Sequence, residues 1–245
     1  MINFKIIYKI MGSLLFLEAL LMLLCLGMAF VYEEDDMPAF MVSIIVTTGI
    51  GFVFKHLGRN SENKLSRRDS FLLVTLVWVV FSLFATLPFL FGGYLTTFTD
   101  AYFEAMSGFT TTGATIIDDV EALPHGILFW RSLTQWVGGL GIVFTTVALL
   151  PSVVKGSTKV FAAEATGPIK TKLHPRLSTS VRWIWGVYLT ITISCMICYK
   201  IFGMNYFEAL NYAMSSAATG GFAVNNTSTE FFHSPALEYT TIFFC

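Results

Sequence analysis

The chain has 245 residues, of which 55% are hydrophobic and 13% charged, with a net charge of −1 and a mean hydropathy of +0.68. Soluble domains carry about 25% charged residues, so these figures exclude an ordinary globular domain and leave a polytopic membrane protein. A balance this close to zero also gives no footing for nucleic acid or another polyanionic partner.

Apolar runs set the order of elements. Residues 10–31 contain one charge, Glu18, and follow Lys5 and Lys9. The run is too long for a signal-peptide core and no small-x-small cleavage site follows it, so it is expected to stay as a span. The acidic stretch Glu33, Glu34, Asp35, Asp36 leads to a second run, 37–54, which ends in a basic loop with Lys55, Arg59, Lys64, Arg67 and Arg68. Residues 71–91 carry no charge, 125–150 carry only Arg131, and 183–202 are interrupted near their end by Lys200. A last apolar stretch begins near Leu237 and is still running at Cys245. With about 20 residues needed per crossing, the sequence predicts five complete spans and the start of a sixth.

Charge fixes the expected orientation. The amino terminus, the loop to Arg68 and the loop from Lys155 to Arg182 hold 13 of the 15 Lys and Arg residues, so this basic side is expected to be cytoplasmic by the positive-inside rule. The acidic side carries Glu33 to Asp36, Asp100, Glu104, Asp118, Asp119, Glu121, Glu208 and Glu230. Such a face concentrates cations at an entrance, although translocated loops are depleted of Lys and Arg in any case.

Two segments of the acidic side, 92–124 and 203–236, are moderately apolar and too short for a span with two turns. The first contains Tyr102-Phe103-Glu104-Ala105 and then Ser107-Gly108-Phe109-Thr110-Thr111-Thr112-Gly113-Ala114; the second contains Tyr206-Phe207-Glu208-Ala209 and then Ala218-Thr219-Gly220-Gly221-Phe222. Each follows one apolar run and precedes another. The chain therefore repeats a unit of span, short helix, Thr-Gly loop and span. The spacing is ambiguous: Thr112-Gly113 on Thr219-Gly220 gives an offset of 107, Ala105-Met106-Ser107 on Ala213-Met214-Ser215 gives 108, and the second copy has three more residues between its YFEA motif and its glycine.

Irregular backbone at membrane depth is tolerated only where protein buries it or water lines it. A Thr/Gly-rich stretch after a short helix fits a pore, where backbone carbonyls replace the hydration shell of a cation. The carboxyl end of the preceding helix adds about half a negative charge, worth about 1.4 kcal/mol to a monovalent cation at about 6 Å and an effective dielectric near 20. Anion sites use helix amino termini and basic side chains, and neither loop contains Lys or Arg.

The stretches from Ser107 to Ala114, Leu123-Pro124-His125, and Phe129-Trp130-Arg131-Ser132-Leu133-Thr134-Gln135-Trp136-Val137-Gly138-Gly139-Leu140-Gly141 resemble the membrane subunits of bacterial Trk-type potassium-uptake systems, the TrkH/TrkG family of the Trk/Ktr/HKT superfamily. Glu164-Ala165-Thr166-Gly167-Pro168 and Thr219-Gly220-Gly221-Phe222 carry the same resemblance, which covers the chain from about Tyr8. It implies an all-α polytopic membrane protein of helix, pore helix, helix repeats with re-entrant filter loops, four of which surround one ion path. Position by position, it places K+-binding filter strands at Thr110, Thr111, Thr112 and Gly113 and at Ala218, Thr219, Gly220 and Gly221, with Gly113 and Gly220 as filter glycines. It further implies K+ as the transported ion, uptake driven by the membrane potential with symport as one coupling mode, a bacterial inner-membrane location, and no prosthetic group. A cytoplasmic nucleotide-binding regulatory subunit and a homodimer are the implied partners.

On this reading, residues 1–68 form two additional amino-terminal spans, 69–152 a first repeat, 153–180 a cytoplasmic linker and 181–245 a second repeat cut short in its last helix. Only about two of four expected repeats are then present, and the expectation is an amino-terminal half. The competing reading is a truncated, non-conducting fragment or scaffold of the same family.

Other polar groups in the apolar runs have two readings each. Arg131 either pairs with Glu104 beside the first filter strand or reaches up to the interface. Gly138, Gly139 and Gly141 either allow close helix packing or form a hinge. Cys195 and Cys198 form a C-x-x-C without the strand context of a redox motif. No catalytic Ser/His/Asp set, phosphate loop, GxGxxG or metal-ligand spacing occurs, so no enzyme activity is expected.

Overall fold

A computed structural model describes residues 2–61, 66–141 and 177–245, and every element in it is helical. Helix α1 (Phe4–Tyr32) starts at Asn3, whose side chain accepts the Ile6 N–H, and ends at Glu33 in the left-handed region. Helix α2 (Met37–Leu57) begins with Pro38 in its first turn, where no amide donor is needed. The two helices form a tight hairpin at Gly12 and Gly51: a Cβ on Gly12 would lie 2.6 Å from the Gly51 carbonyl oxygen. Glu18 is buried in α1, and neither of its carboxylate oxygens has a partner among the described residues.

The third span is broken. A Ser66–Asp69 capping box opens α3 (Arg67–Ala85), and α4 (Leu87–Phe91) follows after Thr86. Pro88 lacks the amide that would continue the ladder, which interrupts the helix one turn earlier. At this break the indole N–H of Trp130 takes the Ala85 carbonyl at 3.1 Å.

Helices α5 (Phe98–Phe109) and α6 (His125–Gly139) follow, and then α7 (Leu177–Ile201), α8 (Tyr206–Ala217), a short 3-10 turn (Ser228–Phe232) and α9 (Pro235–Phe244). Among the described residues, four segments are long and apolar enough to cross a membrane: Phe4–Tyr32, Met37–Leu57, Arg68–Phe91 and Trp183–Ile201. The run expected to form a single span over 125–150 differs. Its helix ends at Gly139, with Gly141 at φ 78°, a value that glycine takes without strain. Residues 142–150, and the expected linker as far as residue 176, lie outside the described residues.

The two short helices settle the spacing of the repeat. Both have 12 residues; Thr97 accepts the Asp100 N–H at one amino terminus and Asn205 the Glu208 N–H at the other. The offset is 108 throughout. The YFEA motifs are therefore not counterparts: Glu208 caps its own helix, whereas Glu104 lies one turn further along α5. A four-residue slip turns a helix position by only about 40°, so similar letters recur on the same face and disguise the shift.

Helix α6 starts at Pro124, which offers no capping side chain. Its amino terminus is served by the α1–α2 loop instead. Glu34 accepts the His125 N–H at 2.6 Å and bonds the His125 ring Nδ1 at 2.7 Å, while Tyr32 stacks on that ring at 3.8 Å. Asp36 is buried against Gly126, where a Cβ would run into its carboxylate. The Glu34 carboxylate complements the positive end of α6 and ties the α1–α2 hairpin to it.

Candidate functional site

Both short helices end in the same turn. After Phe109, Thr110 stays right-handed at φ −78° and Thr111 turns left-handed at φ 53°; the Thr111 N–H bonds the Gly108 carbonyl and the Thr112 N–H the Ser107 carbonyl, each at 3.0 Å. After Ala217, Ala218 has φ −84° and Thr219 φ 52°; the Thr219 N–H bonds Ser216 and the Gly220 N–H bonds Ser215, each at 2.9 Å. This is a Schellman motif twice over, with threonine where glycine is usual. A β-branched residue at positive φ is strained, and such strain gathers at functional positions.

The next residues continue in parallel. Gly113 has φ 74° and Gly221 φ 87°, so Gly221, not Gly220, is the geometric counterpart of Gly113. Gly220 is the counterpart of Thr112. Adjacent glycines conceal this in the sequence, because only the backbone tells which one carries the positive angle. The strands nevertheless meet at Gly220: a Cβ on Gly113 would run into the Gly220 carbonyl oxygen. Thr110, Thr112, Ala114, Thr219 and Gly221 are exposed. The Thr110 and Thr112 hydroxyls bond each other at 2.8 Å, and an open groove of about 370 Å³ lined by Tyr102, Phe103 and Met106 runs beside them.

Behind the strands sits a buried ion pair. Arg131 Nε donates to Glu104 Oε1 at 2.8 Å, with both side chains 2% exposed or less. Glu104 also accepts the Thr115 hydroxyl at 3.0 Å and the Ile116 N–H at 3.1 Å, so it holds the segment leaving the first strand. Arg131 Nη2 donates to Thr115 Oγ1 at 3.2 Å, and Nη1 to the Ala223 carbonyl at 3.1 Å, while the guanidinium lies 4.3 Å over the Phe222 ring. One arginine thus bridges the segments leaving both strands. Between them lies a cavity of about 170 Å³ lined by Gly113, Thr115, Arg131, Gly221 and Asn226. At its rim Asn226 accepts the Val120 N–H at 2.8 Å and donates to Asp119 at 2.9 Å, which joins the two loops again.

Helix α6 packs between α5 and α8 and backs both strands. A Cβ on Gly138 would run into the Phe109 carbonyl oxygen, and one on Gly139 would lie 2.8 Å from the Ala218 Cβ and 2.7 Å from the Tyr188 hydroxyl. These two glycines thus sit against the carboxyl ends of the two short helices. Gly141 lies beyond the end of α6. Gln135 and Thr115 belong to the same arrangement, and neither stands out as a site residue in the sequence. Gln135 had a signal of its own, an amide one helical turn from Arg131 in an apolar helix. Thr115 had none, since nothing local marks it as a bridge between Arg131 and Glu104. Cys195 and Cys198 are free thiols.

With that geometry established, comparison with known proteins is specific. A family model described as TrkH, cation transport protein, matches residues 36–245. The chain belongs to the TrkH cation transport family. It is 37% identical to the Trk system potassium uptake protein TrkH of Halomonas elongata over 238 residues, 96% of this chain and 49% of that protein. The TrkG protein of Escherichia coli is 35% identical over 236 residues, again 96% of this chain and 49% of the relative. The crystal structure of the potassium transporter TrkH from Vibrio parahaemolyticus matches with a TM-score of 0.84 and 33% identity, covering 99% of this chain and 49% of that one. The chain therefore spans about half the length of the curated relatives it matches. This TrkH-family chain is an all-helical, multi-pass membrane protein of a transport family, not of an enzyme family.

Proposed function

We propose that this chain supplies two carbonyl-lined filter strands, residues 110–114 and 218–222, to a potassium-uptake pathway in the bacterial inner membrane. One observation carries the reading: both short helices end in the same strained turn, Thr111 and Thr219 left-handed, followed by a glycine at positive φ. Each turn lies at the carboxyl end of a helix, where the macrodipole is negative. Backbone oxygens there can take the place of the hydration water of a potassium ion. Arg131 and Glu104 act in this reading as a scaffold that fixes the two strands relative to each other. Gly138 and Gly139 serve close packing, since each already touches the end of a pore helix.

Family membership supports a wider proposal: uptake driven by the membrane potential, the amino terminus in the cytoplasm, a homodimer, and a nucleotide-binding regulatory subunit on the basic side. The basic residues from Lys155 to Arg176 that would face this subunit lie outside the described residues. The second reading is a non-conducting member of the family, which keeps the fold but holds no ion path.

The test is Rb+ uptake by a potassium-uptake-deficient strain that expresses the gene encoding this chain. Saturable uptake that excess Na+ does not abolish is expected. Membrane-inserted protein without uptake would overturn the transport reading in favour of the second.

A further inference from the structure

We propose that Gln135 is a positioning residue for the second filter strand, and that Gly220 lacks a side chain so that the Gln135 amide can seat against it. The inference rests on reading residues 218–222 as a filter strand. Gln135 is fully buried on α6, one turn from Arg131. Its Oε1 accepts two hydrogen bonds, from the Ser215 hydroxyl at 2.8 Å and from the Phe222 N–H at 3.1 Å. Ser215 is where the turn begins, for its carbonyl receives the Gly220 N–H at 2.9 Å. Phe222 is where the strand leaves. One oxygen thus ties the last turn of α8, from which the strand departs, and the far end of the five-residue strand at Phe222 to the same point on α6. With the Arg131 bond to the Ala223 carbonyl, the peptide unit joining Phe222 and Ala223 is held by its flanking donor and acceptor from a single helix face.

The first strand has no such clamp. Ser107 is the counterpart of Ser215, and its buried hydroxyl has no partner among the described residues. Thr112, the counterpart of Gly220, keeps an exposed side chain bonded to Thr110. In the second strand the equivalent space is occupied: a Cβ on Gly220 would run into the carbonyl group of the Gln135 amide. A Thr-to-Gly difference between two otherwise parallel turns is therefore explained by one side chain on a third element. The Gln135 Nε2 has no partner among the described residues, so the acceptor oxygen is the working part of the amide.

The experiment compares Gln135→Leu, of similar length without an acceptor, with Gln135→Glu, which keeps one. Rb+ and Na+ uptake are measured in cells expressing the complete gene, alongside Gly113→Ser. Gln135→Leu should lower the Rb+ over Na+ preference about tenfold, the scale set by orphaning a buried donor, while Gln135→Glu stays within about threefold of wild type. Equal preferences in the two variants would overturn the proposal. If Gly113→Ser shifts the preference and Gln135→Leu does not, the filter reading stands and the Gln135 proposal falls; if neither shifts it, the filter reading itself falls. Should Gln135→Leu fail to accumulate, Gly220→Ala is compared in wild-type and Gln135→Ala backgrounds by thermal stability of the solubilised protein. A smaller loss in the Gln135→Ala background supports the shared space, and equal losses overturn it.

Discussion

Gly113 and Gly220 face each other across the two strands so closely that a Cβ on the first would displace the carbonyl oxygen of the second. Two constraints meet at Gly113, this contact and a φ of 74°. Gly93 separates them, because it has φ 70° but nothing within 4 Å of its Cβ direction. Gly113→Ala should reduce the preference for Rb+ over Na+ by about tenfold or more through the disturbed oxygen, whereas Gly93→Ala should leave it unchanged. Competition of Na+ with Rb+ uptake in intact cells reads both. An unaltered preference in Gly113→Ala would remove this residue from the ion path.

Arg131 and Glu104 are a buried pair with additional bonds to Thr115, Ile116 and Ala223. Breaking such a pair leaves an uncompensated charge, which costs about 3–5 kcal/mol. Arg131→Gln should therefore lower the melting temperature of the solubilised protein sharply. Arg131→Lys should recover little, since an ammonium cannot reproduce the planar fork that reaches three acceptors. Normal stability together with a changed ion preference would place Arg131 in the ion path and not in its scaffold.

Two helical glycines provide a test of the α6 packing. Gly138→Ala should destabilise the protein, because its Cβ meets the Phe109 carbonyl, a backbone atom that cannot swing aside. Gly49→Ala in α2 meets nothing within 4 Å and should be neutral or stabilising by up to about 1 kcal/mol through helix propensity. Thermal unfolding of the two variants against wild type decides. Equal effects would mean that α6 does not bear on α5.

Asp36 makes stability depend on pH. Burial, and then the negative Glu34 beside it, raise its carboxyl above the ordinary aspartate range, and the Ile127 amide and His125 offset this only in part. A folded state that raises an acid's pKa disfavours the charged form, so the cost is full at neutral pH and fades as pH falls through the raised value toward about 3.9, the unfolded value. Asp36→Asn should thus raise the melting temperature at pH 7 and confer no advantage below about pH 4. A gain that persists unchanged at low pH would assign the effect to packing.

Much of this architecture is legible in the residues. Apolar runs give the first two helices to within about six positions at their ends, and two Thr-Gly loops in matching places mark the two turns that share one geometry. The exact register is not legible, because helical periodicity lets YFEA recur one turn out of step and because Gly220 and Gly221 are adjacent. Arg131 and Glu104 can be paired from sequence, since two charges in apolar surroundings need each other. Glu34 and His125 are 91 positions apart and nothing local joins them. Gln135 is an intermediate case: its type and spacing mark it, but only the fold shows which strand it serves.

The glycine face of α6 joins what the chain keeps far apart. Gly138 abuts the end of α5 and Gly139 the end of α8, while Arg131 grips the segments beyond both. The two strands therefore hang from one stem, like the tines of a fork. A tilt or slide of that stem carries both tines with it, so their mutual spacing is a property of α6 rather than of either loop alone.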